Sequence, residues 1–228
     1  MAFGFKLEVW GDYALFTRPE MSVERVSYDV ITPSAARGIV ESIYWHPGMR
    51  VLIDKIHVLN PIQFTSVRRN EVKSKALASN MKRAISDSLK NDVVELPFID
   101  ASDDIVQRAS LVLKDVRYVI EFHFEMTEEA SASDNPAKFS EILRRRISKG
   151  QCYSQPYLGC REFAASFKAW PEKQPIHGYY SDVSPDDKDL GFMLYDMDYS
   201  NPGSIVPMFY RAHMVKGTID VAESEVFR

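Results

Sequence analysis

Between Leu111 and Met126 the chain alternates: Val116, Tyr118, Ile120, Phe122 and Phe124 fall on one face of an extended segment, and Asp115, Arg117, Glu121, His123 and Glu125 on the other. Strand side chains point to opposite faces with a period of two, so this pattern predicts a long strand that is apolar on one side and polar on the other. An apolar strand face must be covered by other elements, and the chain supplies them in alternation. Phe5 to Trp10 repeats the pattern, with Phe5, Leu7 and Val9 against Lys6 and Glu8. Thr32-Pro33 then opens a helix, the threonine capping and the proline in the first turn, where its missing N–H costs nothing. Ala35, Ala36, Ile39, Val40 and Ile43 recur at helical spacing, and His46-Pro47-Gly48 is the expected stop. Val51 to Leu59 reads as a strand with one change of phase, and Ile62 to Val67 as its continuation or hairpin partner. Asn135-Pro136 opens a second helix, with Phe139, Ile142, Leu143 and Ile147 as the buried stripe and Gly150 as the stop.

The resulting order, β-α-β, an excursion, then β-α and further strands, predicts an α+β protein with a ferredoxin-like (RRM-like) N-terminal domain. Residues 169–228 bring strands near 190–196 and 206–221, an antiparallel β extension, so the expected division is 1–168 and 169–228. Residues 70–110 fit a compact unit less well. Val72 to Leu89 reads as partly helical and the acidic 91–104 as an exposed loop, and an excursion this long is functional or mobile.

With 45% hydrophobic residues and a net charge of −4 over 228 residues, the chain is not of disordered composition. No stretch reaches the roughly eighteen apolar residues of a membrane span, and Lys6 and Glu8 interrupt the start, so a cytoplasmic protein without a membrane partner is expected. Cys152 and Cys160 are too few for a disulfide framework or a four-thiolate zinc site. The acidic total weighs against nucleic acid only if charge is uniform, and it is segregated. Residues 66–90 carry seven Lys/Arg against Glu71 and Asp87, a net +5, and 138–149 carry five against Glu141, a net +4. Acid gathers at 91–104 and 182–198. Over a screening length of about 8 Å a ligand feels the local patch. Each basic run is therefore either a solvated helix face or a phosphate-binding surface.

Phosphate loops, dinucleotide fingerprints and nucleophile elbows are absent from the sequence. The five histidines show no metal-ligand spacing, so no metal and no cofactor are expected. His57 reads as structural, and the aromatic signature of a base-stacking sheet is missing.

Three stretches carry a family resemblance. The run from Tyr28 to Trp45, with Thr32-Pro33-Ser34-Ala35-Ala36-Arg37-Gly38 at its centre, resembles the first-helix signature of the fifth CRISPR-associated (Cas) family, Dvulg subtype, of type I-C systems. Gly11-Asp12-Tyr13-Ala14-Leu15-Phe16-Thr17 is similar to the segment after its first strand, and Leu158-Gly159-Cys160-Arg161-Glu162 to the loop after its second helix. The resemblance covers most of residues 3–165. It implies metal-independent cleavage of precursor CRISPR RNA at the base of the repeat hairpin. In that reaction a ribose 2′-OH attacks the adjacent phosphate and leaves a 2′,3′-cyclic phosphate, and the protein retains the 5′ handle of the product in a surveillance complex with backbone and large subunits.

The family's usual residues are a tyrosine ending the first helix and a lysine-histidine pair opening the second. Tyr44 matches the tyrosine and Lys138 the lysine, but Phe139 stands where the histidine would be. Phenylalanine transfers no proton, so Tyr44, with an unperturbed pKa near ~10, needs another group. His46 is the nearest candidate and His123 a second. Arg144, Arg145 and Lys149 are expected on the RNA, together with Arg68, Arg69 and Arg161, while at least one of Arg144, Arg145 and Arg146 should face protein because the three span about 200° of the helix. Loss of the histidine also keeps open a handle-binding subunit that does not cleave. A third possibility is a nonspecific duplex binder or nuclease, with DNA as a partner.

Overall fold

The computed structural model describes residues 4–21, 23–90, 99–183, 187–201 and 203–228. In chain order its elements are β1 (Phe5–Ala14), β2 (Arg25–Val26), α1 (Pro33–Ile43), β3 (Met49–Val58), β4 (Phe64–Val72), α2 (Ala78–Ser88) and β5 (Ile105–Met126). There follow α3 (Pro136–Lys149), β6 (Ser166–Ala169), α4 (Tyr179–Val183), β7 (Lys188–Asp198), β8 (Val206–Met214), β9 (Thr218–Asp220) and β10 (Val226–Phe227).

The strands β6-β1-β5-β3 lie side by side in that order and pair antiparallel. This is the fourth-first-third-second arrangement of a β-α-β-β-α-β unit, so the ferredoxin-like expectation holds. The register explains the alternation in the sequence. Leu7 lies opposite Ile120, Val9 opposite Tyr118 and Val51 opposite Phe124, which gathers the apolar side chains on one face. Ile39, Val40 and Ile43 of α1 and Phe139, Leu143 and Ile147 of α3 are buried with these residues in the core. Each such side chain is worth about 1.5–3 kcal/mol when fully buried.

The other face is polar and paired. Glu8, almost fully buried, lies between Arg117 and Lys168, and His57 bridges Thr218 Oγ1 at 3.0 Å and Glu121 Oε1 at 2.7 Å. His123 is 2.8 Å from Asp54 Oδ1. These partners make His57 a structural group.

The C-terminal residues supply β9, which pairs with β3, and the separate antiparallel sheet β10-β8-β7. Among the described residues no helix is long and apolar enough to cross a membrane.

By compactness the chain divides into one unit of residues 1–65 and 111–228 and a second of 66–110. The second unit holds most of β4, α2 and the start of β5. The strand expected from Leu111 thus begins at Ile105, and the one expected to stop at Val67 runs to Val72. Its alternating half-buried positions Val67, Arg69 and Glu71 are partly charged, which hid the period. The helical part of Val72 to Leu89 is confined to α2. Within this unit the backbone N–H of Ser74 donates to Asp104 Oδ2 at 2.7 Å, and Arg108 pairs with Glu71. Of the expected acidic loop, 99–104 is a turn, and 91–98 lie outside the described residues.

Candidate active site

Pro47 does not end the first helix. The helix closes at Ile43, and Tyr44 caps it with extended backbone, φ −154° and ψ 126°. Residues two apart in extended chain point the same way, so Tyr44 and His46 face one side and Trp45 the other. Both rings rest on Phe139, at centroid distances of 6.1 Å for Tyr44 and 5.0 Å for His46. Phe139 is fully buried and also meets Phe124 edge-on at 6.2 Å. It is the apolar floor on which the tyrosine and the histidine are placed. His123, adjacent to Phe124 on the strand, points to the opposite sheet face, so only His46 joins this cluster.

The turn after β5 delivers the charged groups. Thr127 is tied to the His46–Gly48 segment by its N–H to Gly48 O at 3.1 Å and its hydroxyl to Pro47 O at 2.6 Å. Gly48 permits this approach, because a Cβ there would lie 2.8 Å from the Ala130 Cα. The turn ends at Asn135, whose side chain caps α3 by accepting from the Lys138 N–H at 2.9 Å, and Pro136 follows at the first helical position. Lys138 Nζ donates to Asp134 Oδ1 at 2.8 Å. Asp134 Oδ2 accepts from the Ser131 N–H at 3.0 Å and its hydroxyl at 2.8 Å, and lies 3.9 Å from His46 Nε2. A lysine in the first turn opposes the positive helix end, and the Asp134 carboxylate offsets this.

The protonation states follow from the contacts. His46 Nδ1 accepts the Gly48 N–H at 3.0 Å, so in the neutral ring Nε2 carries the proton and acts as a donor. Burial raises the Tyr44 pKa above its ordinary value, against the lowering fields of Lys138 and Arg146. The phenol is therefore protonated at neutral pH. The Lys138 bond, followed by those of Ser131, holds the Asp134 carboxyl well below the usual carboxylate range, so it is charged.

The three arginines of α3 separate as their spacing requires. Arg146 turns inward, donating to Ile43 O at 2.7 Å with its guanidinium 5.2 Å from the Tyr44 ring centre. Arg144, Arg145 and Lys149 remain exposed, with Arg144 resting over the Phe5 ring. Ser140 is buried in the stripe where Ile142 was expected, and Ile142 is half-buried. Arg161 is exposed on the turn fixed to the end of β1 by the Leu15 N–H to Leu158 O bond, not on the Tyr44 cluster. Arg68, exposed, and Arg69, half-buried, belong to the second unit.

Two kinds of residue escaped the sequence. Asp134 sits in a polar turn, and its local signals are the Ser131-x-x-Asp134 spacing and its place four residues before Lys138. Trp45 and Tyr153 are 57% and 87% exposed, and the Tyr153 loop is pinned by its N–H to Ser42 O at 2.8 Å. Rings held open to solvent in this way are suited to stacking unpaired bases. The cluster as a whole offers a phenol proton, an imidazole N–H and an ammonium to a phosphate, beside an exposed basic helix face.

Comparison with known proteins identifies the family. Residues 4–222 match the family model for CRISPR-associated protein (Cas_Cas5), Cas5d group. The CRISPR pre-crRNA endoribonuclease Cas5d of Mannheimia succiniciproducens is 48% identical over 97% of this chain and 96% of its own. The protein of the same name from Thermus thermophilus is 37% identical over 95% of this chain and 90% of its own. A crystal structure of a CRISPR-associated protein superposes with a TM-score of 0.69 at 25% identity, covering 99% of this chain and 97% of that one.

Proposed function

The chain belongs to the CRISPR-associated Cas5d family, and on that premise we propose that it is an endoribonuclease cleaving precursor CRISPR RNA at the base of the repeat hairpin. The observation that carries the site assignment is the convergence of Tyr44, His46 and Lys138 around Phe139. The ribose 2′-oxygen forms a bond to the adjacent phosphorus as the bond from phosphorus to the 5′-oxygen breaks, leaving a 2′,3′-cyclic phosphate and a 5′-hydroxyl. Lys138 neutralises the charge that builds on the phosphate oxygens, the part a metal ion would otherwise take, so the reaction is metal-independent. Tyr44, kept protonated by burial, gives its proton to the departing 5′-oxygen, and the proton released by the 2′-OH restores it through solvent. His46 contributes its Nε2–H to the phosphate in place of the histidine that Phe139 replaces.

Arg144, Arg145 and Lys149 hold the hairpin stem through its phosphates, reading A-form shape rather than sequence, and Arg161, Arg68 and Arg69 contact RNA or neighbouring subunits. Residues 1–168 carry binding and cleavage and 169–228 brace them. The product stays bound by its 5′ handle within a type I-C surveillance complex in the cytoplasm, where the transcript is made.

The test is cleavage of the cognate repeat RNA in EDTA. One cut site, lost when the attacked ribose is 2′-deoxy, supports the proposal. Tight binding without product would make the chain a handle-binding subunit, and activity only with added metal, or on duplex DNA, would replace the mechanism.

A further inference from the structure

A carboxylate in a site that must receive a phosphate repels its substrate, so its retention there needs a compensating role. Asp134 is that carboxylate. We propose that it is a positioning residue for cleavage, holding the Lys138 ammonium beside His46 and ready for the scissile phosphate; this rests on the assignment of Tyr44, His46 and Lys138 made above.

Three features of the geometry favour this role over a purely structural one. Helix capping does not require Asp134, because Asn135 already accepts the Lys138 N–H. Its side chain is only 3% exposed and both oxygens are committed, Oδ2 to Ser131 and Oδ1 to Lys138. The turn that carries it is bonded to the same segment as His46, through Thr127 to Pro47 and Gly48. Asp134 is thus an anchored acceptor for an otherwise flexible lysine, and it holds that lysine on the side of the turn that faces His46, whose Nε2 lies 3.9 Å from Oδ2. Lysine has three donor protons, and with its side chain 44% exposed Lys138 keeps others for a phosphate while one is held by Asp134. Fixing the ammonium before the substrate arrives removes reorganisation from the reaction, which is how electrostatic stabilisation becomes effective.

The experiment is a double-mutant cycle read by single-turnover cleavage and by equilibrium binding of the repeat hairpin, with thermal melts of each variant. D134N is expected to slow cleavage about ten- to hundredfold, the scale of a misplaced group, while hairpin affinity stays level or rises because a negative charge has gone. In a K138A background, D134N should change the rate by less than about threefold, since both variants remove one interaction. Ser131→Ala, which loosens the anchor but keeps the carboxylate, should slow cleavage less than D134N with binding unchanged. If D134N lowers rate, affinity and melting temperature together, Asp134 serves the fold and the inference is wrong. Multiplicative effects of D134N and K138A would also overturn it. Wild-type cleavage by K138A would remove the site assignment itself, whereas slow K138A beside fast D134N removes only the role of Asp134.

Discussion

Tyr44 and His46 meet at Phe139 because the chain between them is extended, and this local geometry sets what each can do. Replacing Tyr44 by Phe keeps the packing and deletes the proton, so single-turnover cleavage should fall at least about tenfold with hairpin binding nearly intact. Burial raises the Tyr44 pKa, so the donor form persists across neutral and mildly alkaline pH. Between pH 7 and 9 its ionisation should therefore cause no loss of rate. His46 is a donor at Nε2, and H46Q, which keeps an N–H, should accordingly retain more activity than H46A in the same assay. The loss of the family histidine at Phe139 was legible in the sequence. That its ring becomes the floor under the candidate replacement was not, because that depends on where α1 ends, a boundary misplaced at Pro47.

Helix α3 carries its roles on separate faces, and these can be measured separately. Asn135→Ala removes the cap bond to the Lys138 N–H and should cost about 1 kcal/mol in denaturant unfolding. Arg144→Ala with Arg145→Ala leaves the buried face intact. The pair should weaken hairpin binding and reduce the slope of log affinity against log salt by about 1–2; unchanged binding would mean this face is not the RNA surface. The helical period assigned the exposed face of α3 and its buried face apart from Ile142, whose place Ser140 takes, and required that one arginine turn inward. It did not say which, because Arg146 is selected by the free Ile43 carbonyl at the end of another helix.

At the scale of the molecule, the sheet couples stability to pH. His57 links β5 and β9 through Glu121 and Thr218, and burial lowers its pKa against the raising effect of Glu121. The unfolded chain therefore takes up a proton at about 6.5 before the folded one does, and stability is lost as pH falls through that range. Urea unfolding at pH 7.5 and 5.5 should show this loss, and His57→Gln should reduce it. The net charge of −4 proved a poor guide to partners, because seven basic residues lie at 66–90 and five at 138–149 while acid gathers elsewhere. The sequence by itself determined the strand faces, the capped helix starts, the segregation of charge and the departure at Phe139. Strand faces and helix starts are written in neighbours two to four residues apart, the range over which backbone periodicity and capping act. Charge segregation is written in runs such as 66–90 and 138–149, and the departure at Phe139 in the family resemblance. Only the tertiary structure brought His46 to the Asp134–Lys138 pair, whose own members stand four residues apart. That meeting joins the end of α1 to the turn after β5, segments distant in the chain, and it depends on loop closure over Gly48, which leaves no periodic trace.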